Sequence, residues 1–182
     1  IFPTDVSHWW DILSQRDIWA TTKVRTYKGE IVSSDYYRKY FTLNNLPNVY
    51  TAFFYFKKCE LASELFAMNE IIFQNWQRFF FKYMPKGKPD FLSGDVAFAL
   101  AMKLLGVEHE CTRENIDTVP TFVHMKSHIQ NVPTSLIDEN WSNSLPTYYR
   151  SYKDFHIGNF AQHLPFHYVE KDWLTSNMIK QM

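Results

Sequence analysis

Cysteine is scarce in this chain of 182 residues, and other class-defining features are missing too. The two cysteines, Cys59 and Cys111, cannot build a disulfide framework, so a reducing cytoplasm is the expected location. No apolar run reaches the roughly 18 residues that a membrane span needs, and no signal peptide is visible. Nineteen basic and 19 acidic side chains balance, so no net charge attracts the chain to nucleic acid or a membrane surface.

Common catalytic motifs are absent as well. The sequence contains no His-Glu-x-x-His, no glycine-rich phosphate loop and no Gly-x-Ser-x-Gly, which excludes the usual signatures of zinc peptidases, phosphate-loop nucleotidases and α/β-hydrolases. Neither cysteine lies in a local motif that would mark a nucleophile. Taken one motif at a time, the sequence therefore offers little candidate chemistry.

Aromatic residues, in contrast, are abundant. The chain has 16 phenylalanines, 11 tyrosines and 6 tryptophans, which together make 18% of its residues. Aromatic side chains have large apolar areas, so we expect most of them in the core. The remainder can lie at the surface, where aromatic rings bind flat partners such as sugar rings or bases.

The chain begins abruptly on apolar residues. Ile1-Phe2-Pro3 has no initiator methionine, charged leader or polar tail before it, and Asp5 or Ser7 is positioned to cap a first helix that ends at Leu13. This start is typical of the interior of a domain. We therefore expect a fragment, or a single domain over residues 1–182 that has lost its front half.

Segments typical of strands and helices alternate along the chain. Strands are predicted at 18–27, 49–56, 119–125 and around 166–169, with a turn at Lys28-Gly29-Glu30. Helices are predicted at 60–83 and at 93–106, where Ser93 caps the second helix and Gly106 ends it. The segment 49–56 is β-branched and aromatic on both faces, which favours a central strand. The predicted fold class is α/β, with a mixed sheet flanked by helices and with the long helix packed on the central strand.

Two features suggest chemistry, each with a simpler alternative. His124 and His128 lie four residues apart, which on a helix would place two imidazoles on one face as a metal pair needs. Because the segment follows a predicted strand, ordinary surface histidines are the alternative. Asp95 lies in the first turn of a predicted helix, where a carboxylate can be catalytic or can simply complement the helix dipole.

Four segments, taken in order, resemble the later half of a GT-A-type glycosyltransferase. Ile1–Trp10 is similar to the stretch after the Asp-x-Asp motif of that family, and Tyr50–Ala62 is similar to its central strand and the line that follows. Ser93–Ala101 is similar to the acidic helix start, and Thr121–His124 to the strand that ends in a metal-binding histidine. The resemblance covers residues 1–128, and residues 129–182 form an irregular extension. The Asp-x-Asp itself would lie directly before Ile1.

The resemblance implies transfer of a sugar from a nucleotide-sugar donor to an acceptor, with Mn²⁺ or Mg²⁺ as cofactor. It implies that Asp95 or Asp90 is the catalytic carboxylate and that His124 is a metal ligand. It also implies that Lys126 binds the donor and that the acceptor sugar stacks on Trp9, Trp10 and Trp141. Asp95 and His124 are expected to line one cleft. Without its front half the fragment is expected to be inactive.

Two other functions remain open. The chain can be a non-catalytic module whose exposed aromatic rings contact carbohydrate or protein. A single-stranded nucleic-acid binder that uses aromatics and lysines is the third possibility, and the balanced charge disfavours it.

Overall fold

The structure, a computed structural model, describes residues 2–32, 38–113, 120–124, 147–151 and 153–167. Two compact units are present. The helical unit is His8–Lys23 with Tyr37–Pro120, and the strand unit is Ile1–Ser7 with Val24–Tyr36 and Thr121–Met182. A single domain with a family-like core over 1–128 and an extension over 129–182 stays a prediction.

The described part of the helical unit contains six helices and two strands. In chain order they are α1 (Trp9–Leu13), β1 (Ile18–Thr21), α2 (Lys39–Asn44), β2 (Tyr50–Phe56), α3 (Glu60–Gln74), α4 (Trp76–Tyr83), α5 (Gly94–Leu105) and α6 (Glu108–Thr112). The predicted combination of helices and strands is thus confirmed. No helix among the described residues is long and apolar enough to span a membrane.

The prediction that 49–56 is the central strand of a mixed sheet is wrong for the part of the chain that the structure describes. β2 pairs there only with β1, antiparallel, in a two-stranded sheet with Ile18 opposite Phe56. The strand is apolar on both faces because aromatic rings cover both. Phe53 contacts the rings of Trp9 and Trp19, with ring centroids 5.5 and 5.9 Å away, whereas Phe54 contacts those of Phe66 and Phe98, at 6.1 and 5.6 Å.

The long helix predicted over 60–83 is two helices that meet at Asn75. This residue has φ −130° and ψ 28°, outside the helical range, and its side-chain Nδ2 donates to the carbonyl oxygen of Ile71 at 3.0 Å. Both helices contribute to the core, in which Leu65, Ile72 and Phe80 have no exposed surface. The predicted packing on β2 is confirmed, since Phe66 of α3 contacts two rings of the strand.

Helix α5 has the longest buried run among the described helices. All seven residues from Val96 to Met102 are buried, as expected of a helix that is apolar all round. Its predicted ends are confirmed. The hydroxyl of Ser93 accepts a hydrogen bond from the amide of Val96 at 3.4 Å, and Gly106 terminates the helix at φ +70°, where glycine is preferred.

The first helix begins later than predicted. α1 starts at Trp9, with His8 at the N-cap position and no side-chain cap. Asp5 Oδ1 accepts instead from the amide of Ser7 at 2.8 Å, so this carboxylate stabilises the turn before the helix. The capping role that the sequence suggested for Asp5 or Ser7 is therefore wrong, because a local turn takes the same acceptor.

The described part of the strand unit contains two small sheets. β4 (Thr147–Ser151), β5 (Asp154–Ile157) and β6 (Phe160–Ala161) are antiparallel, and β3 (Val123–His124) pairs in parallel with β7 (Phe166–His167). The turn predicted at 28–30 is confirmed, with Gly29 at φ +85° and the Thr26 amide donating to the carbonyl of Glu30 at 2.9 Å. The expected single mixed sheet is thus replaced by three small sheets in the described chain.

Candidate functional site

Asp95 connects two segments that are 44 residues apart in the chain. It lies in the first turn of α5, and its Oδ1 accepts hydrogen bonds from the amide of Thr51 at 2.8 Å and from the hydroxyl of Thr51 at 2.6 Å. Ser93 caps the start of this helix, and the carboxylate of Asp95 lies at the beginning of β2. Two of the segments singled out by the glycosyltransferase resemblance therefore meet at hydrogen-bond distance.

Arg38 occupies the other side of the same carboxylate. Its Nη2 pairs with Asp95 Oδ2, and its Nη1 donates to the carbonyl of Val49 at 2.6 Å and to Asn48 Oδ1 at 3.1 Å. The guanidinium also lies 3.5 Å from the ring centroid of Tyr50, a close cation–π contact. We call Arg38, Thr51 and Asp95 the Asp95 cluster.

The Asp95 cluster is nearly closed to solvent. The Arg38 side chain is 5% exposed and that of Asp95 is 15% exposed. A buried charge pair is tolerated because each partner is hydrogen-bonded as well as paired. The carboxylate thus fastens the start of α5 to β2, and it must exchange one of its donors before it can take a proton from a ligand.

No sequence motif indicated a role for Arg38. It stands in a polar and aromatic segment with no motif around it, and its partners are 10 to 57 residues away. Asp90, the second predicted carboxylate, lies exposed between α4 and α5, and no hydrogen bond among the described residues joins it to the Asp95 cluster.

A second group of candidate residues lies in the strand unit. β3 and β7 pair in parallel with His124 directly opposite His167, and the two imidazole centroids are 5.3 Å apart. The ring of Phe122 is 5.9 Å from each imidazole, and the backbone amide of His124 donates to the carbonyl of Arg25 at 2.9 Å. We call His124 and His167 the histidine pair.

The centroid spacing of the histidine pair is that of a tilted ring contact, and it is also close to the spacing of two imidazoles on one metal ion. A metal about 2.1 Å from each ring nitrogen, at a roughly tetrahedral angle, places the two ring centres about 5 Å apart. Imidazole is a ligand for divalent transition metals and suits Mn²⁺ better than Mg²⁺, which prefers oxygen. Within the described ranges no group of three or more histidine, cysteine, aspartate or glutamate residues is arranged to hold a metal.

His167 was not predicted as a ligand. The sequence shows only three unevenly spaced histidines near the end of the chain, and the pairing with His124 becomes visible only through the parallel register of β3 and β7. Asp95 and His124 belong to different units, so their common cleft stays a prediction.

The predicted acceptor-binding aromatics differ in exposure. Trp9 is buried at 8% exposure against Phe53, whereas Trp10 is 60% exposed and touches the ring of Tyr55 edge-on at 5.8 Å. Of these two adjacent residues, Trp10 can offer its face to a ligand. Trp141, Lys126 and His128 lie outside the described residues.

The buried thiol of Cys111 illustrates a group that is unsuited to nucleophilic chemistry. Burial, and then the carboxylates of Glu110 and Glu108, raise the pKa of this thiol from its ordinary 9.0 to about 12. The thiol stays protonated to a higher pH in the folded protein than in the unfolded chain. Its contribution to the free energy of unfolding is therefore complete below pH 9.0 and is lost as the pH rises towards 12.

We expect Cys111 to resist thiol reagents in the folded protein. A pKa about three units higher lowers the thiolate fraction, and hence the rate with Ellman's reagent, about a thousandfold at neutral pH. The half-buried Cys59 serves as the internal comparison, and a Cys59→Ser variant isolates the slow thiol. Rapid labelling of both thiols before urea is added would contradict this expectation.

Comparison with known proteins leaves the chain to be interpreted from its own residues. No protein-family model, no curated protein and no solved structure matches it. The Asp95 cluster and the histidine pair are therefore the structural observations on which a functional argument can be built.

Proposed function

We propose that this chain is part of a metal-dependent glycosyltransferase that moves a sugar from a nucleotide-sugar donor to an acceptor hydroxyl. The observation that carries the proposal is the pair of hydrogen bonds from Thr51 to Asp95. The resemblance implies that the strand at 50–52 helps to form the pocket and that Asp95 is the catalytic carboxylate, and local sequence patterns alone give no reason for the two to meet. The histidine pair is a second, separate support, because it gives the predicted metal ligand His124 a partner.

The chemistry assigns a task to each group of residues. A divalent ion, when bound, neutralises the charge that develops on the diphosphate leaving group. His124 and His167 would hold that ion through their imidazole nitrogens. Asp95 would accept the proton of the acceptor hydroxyl as its oxygen bonds to the sugar carbon, with Arg38 keeping the carboxylate oriented. Trp10 would stack on the acceptor sugar.

The test is a nucleotide-sugar hydrolysis and transfer screen with Mn²⁺ or Mg²⁺, using the longest version of the chain that its gene encodes. We expect metal-dependent release of nucleoside diphosphate. His167→Ala should weaken Mn²⁺ binding by at least about tenfold, measured by titration calorimetry without any sugar. His163→Ala is the matched control, since the exposed His163 is close in sequence and lies outside the histidine pair.

Two results would count against this proposal. One is metal binding that is unchanged by both His124→Ala and His167→Ala. The other is the absence of donor hydrolysis with every nucleotide sugar although metal binds. Sugar binding without hydrolysis would favour the non-catalytic carbohydrate-binding module, for which the exposed ring of Trp10 is the supporting observation.

A further inference from the structure

Positive charge is concentrated in one short part of this otherwise neutral chain. No acidic residue occurs from Ile71 to Pro89, whereas the same stretch contains Arg78, Lys82, Lys86 and Lys88. The stretch consists of the end of α3, the whole of α4 and the loop that follows. The neutral total therefore conceals a local field that attracts anions.

Phe81 lies in the middle of this basic stretch and is 76% exposed, while its neighbour Phe80 is fully buried. Arg78 and Lys82 lie on the same side of α4, because residues three and four apart are neighbours on a helix surface. Lys88 returns from the loop to place its Nζ 5.4 Å from the centroid of the Phe81 ring. We call Arg78, Phe81, Lys82 and Lys88 the Phe81 face.

A groove of about 260 Å³ adjoins the Phe81 face and shares two of its cations. Its walls come from the end of α3 and from α4, and its lining residues are Ile71, Asn75, Arg78, Phe79, Lys82 and Tyr83. Among the described residues, neither Arg78 nor Lys82 forms an ion pair with a carboxylate. The groove is small for a drug-sized molecule and suits a single phosphate-bearing group.

We propose that the Phe81 face docks on a lipid surface that carries anionic headgroups. Phe81 enters the boundary between headgroups and acyl chains, Arg78 and Lys82 hold a headgroup phosphate at the groove, and Lys88 contacts a neighbouring headgroup. An exposed aromatic ring among cations is one feature of interfacial helices, which lie on a membrane without spanning it. The proposal does not depend on the glycosyltransferase assignment.

Charge and exposure favour a lipid surface over other anionic partners. A soluble phosphate would engage Arg78 and Lys82 and leave Phe81 in water. A single strand of nucleic acid stacks its bases on several exposed rings, whereas Phe79 and Tyr83, which line the adjoining groove, are half-buried. A lipid surface offers anionic groups and an apolar phase together, which matches both properties of the Phe81 face.

The proposal is tested by vesicle flotation of the full chain with phosphatidylcholine vesicles that do or do not contain phosphatidylserine. We expect binding only to the anionic vesicles. Phe81→Ala should weaken it about tenfold, and Arg78→Gln, Lys82→Gln and Lys88→Gln together on the order of a hundredfold, at about fivefold per charge. Thermal unfolding of each variant should stay unchanged because these side chains are exposed.

Matched controls separate this face from general charge and hydrophobicity. Phe160→Ala removes another exposed ring, and Lys23→Gln, Lys28→Gln and Lys58→Gln together change the net charge equally; both controls should keep full binding. Equal binding to neutral vesicles, or equal loss in the controls, would overturn the proposal. So would binding of inorganic phosphate or of an oligonucleotide that depends on the three cations while anionic vesicles do not bind.

Discussion

Replacing Asp95 with alanine is expected to lower the free energy of unfolding by about 3–5 kcal/mol, because the change leaves a buried guanidinium without its counter-ion. The Arg38 side chain is only 5% exposed, so water cannot readily replace the carboxylate. The amide and hydroxyl of Thr51 lose their acceptor in the same variant. Urea unfolding followed by tryptophan fluorescence measures the effect.

Two further variants isolate the charge pair. Asp90→Ala removes an exposed carboxylate five residues earlier and should change the free energy of unfolding by no more than about 0.5 kcal/mol. Arg38→Met in the Asp95→Ala background should restore part of the lost stability, since no uncompensated charge then remains buried. A loss below about 1 kcal/mol for Asp95→Ala would show that the ion pair is not buried in solution.

Phe80 and Phe81 are adjacent, chemically identical and expected to respond in opposite ways. Phe80→Ala should cost about 3–5 kcal/mol, because the side chain is fully buried in the core and its removal leaves a cavity. Phe81→Ala should change stability by about 0.5 kcal/mol or less, since that ring is mostly in water. Urea unfolding of both variants gives the comparison, and similar losses would mean that α4 is rotated from the described orientation.

Local chemistry made several elements of this fold predictable. The Ser93 cap, the Gly106 terminus and the turn at Gly29 each depend on residues within a few positions, so the sequence shows them directly. The packing of the long helical segment on β2 was also predictable, because β2 is apolar and the helical residues recur with helical spacing.

Distant partners explain what the sequence could not show. The aromatic residues of β2 have the pattern of a central strand, yet β1 is its one described strand partner, and rings from helices and from β1 cover its faces. Asn75 interrupts the helix, although no proline or glycine marks this position in the sequence as a helix end. Arg38 contacts Asp95, 57 residues along the chain, and His167 lies opposite His124, 43 residues away (167 − 124 = 43). No local sequence pattern indicates such distant contacts.

The concentration of charge around α4 also governs how the protein behaves in solution. The whole chain has a net charge of +0, and residues 76–89 carry four positive charges and no negative one. The rest of the chain therefore carries a net charge of −4. Electrophoretic mobility near the isoelectric point of 7.2 therefore averages over regions of opposite sign. Counter-ions respond to charges within a Debye length, about 8 Å at physiological salt. A cation exchanger should thus retain this protein at its isoelectric point, where a neutral protein with evenly mixed charges would pass through.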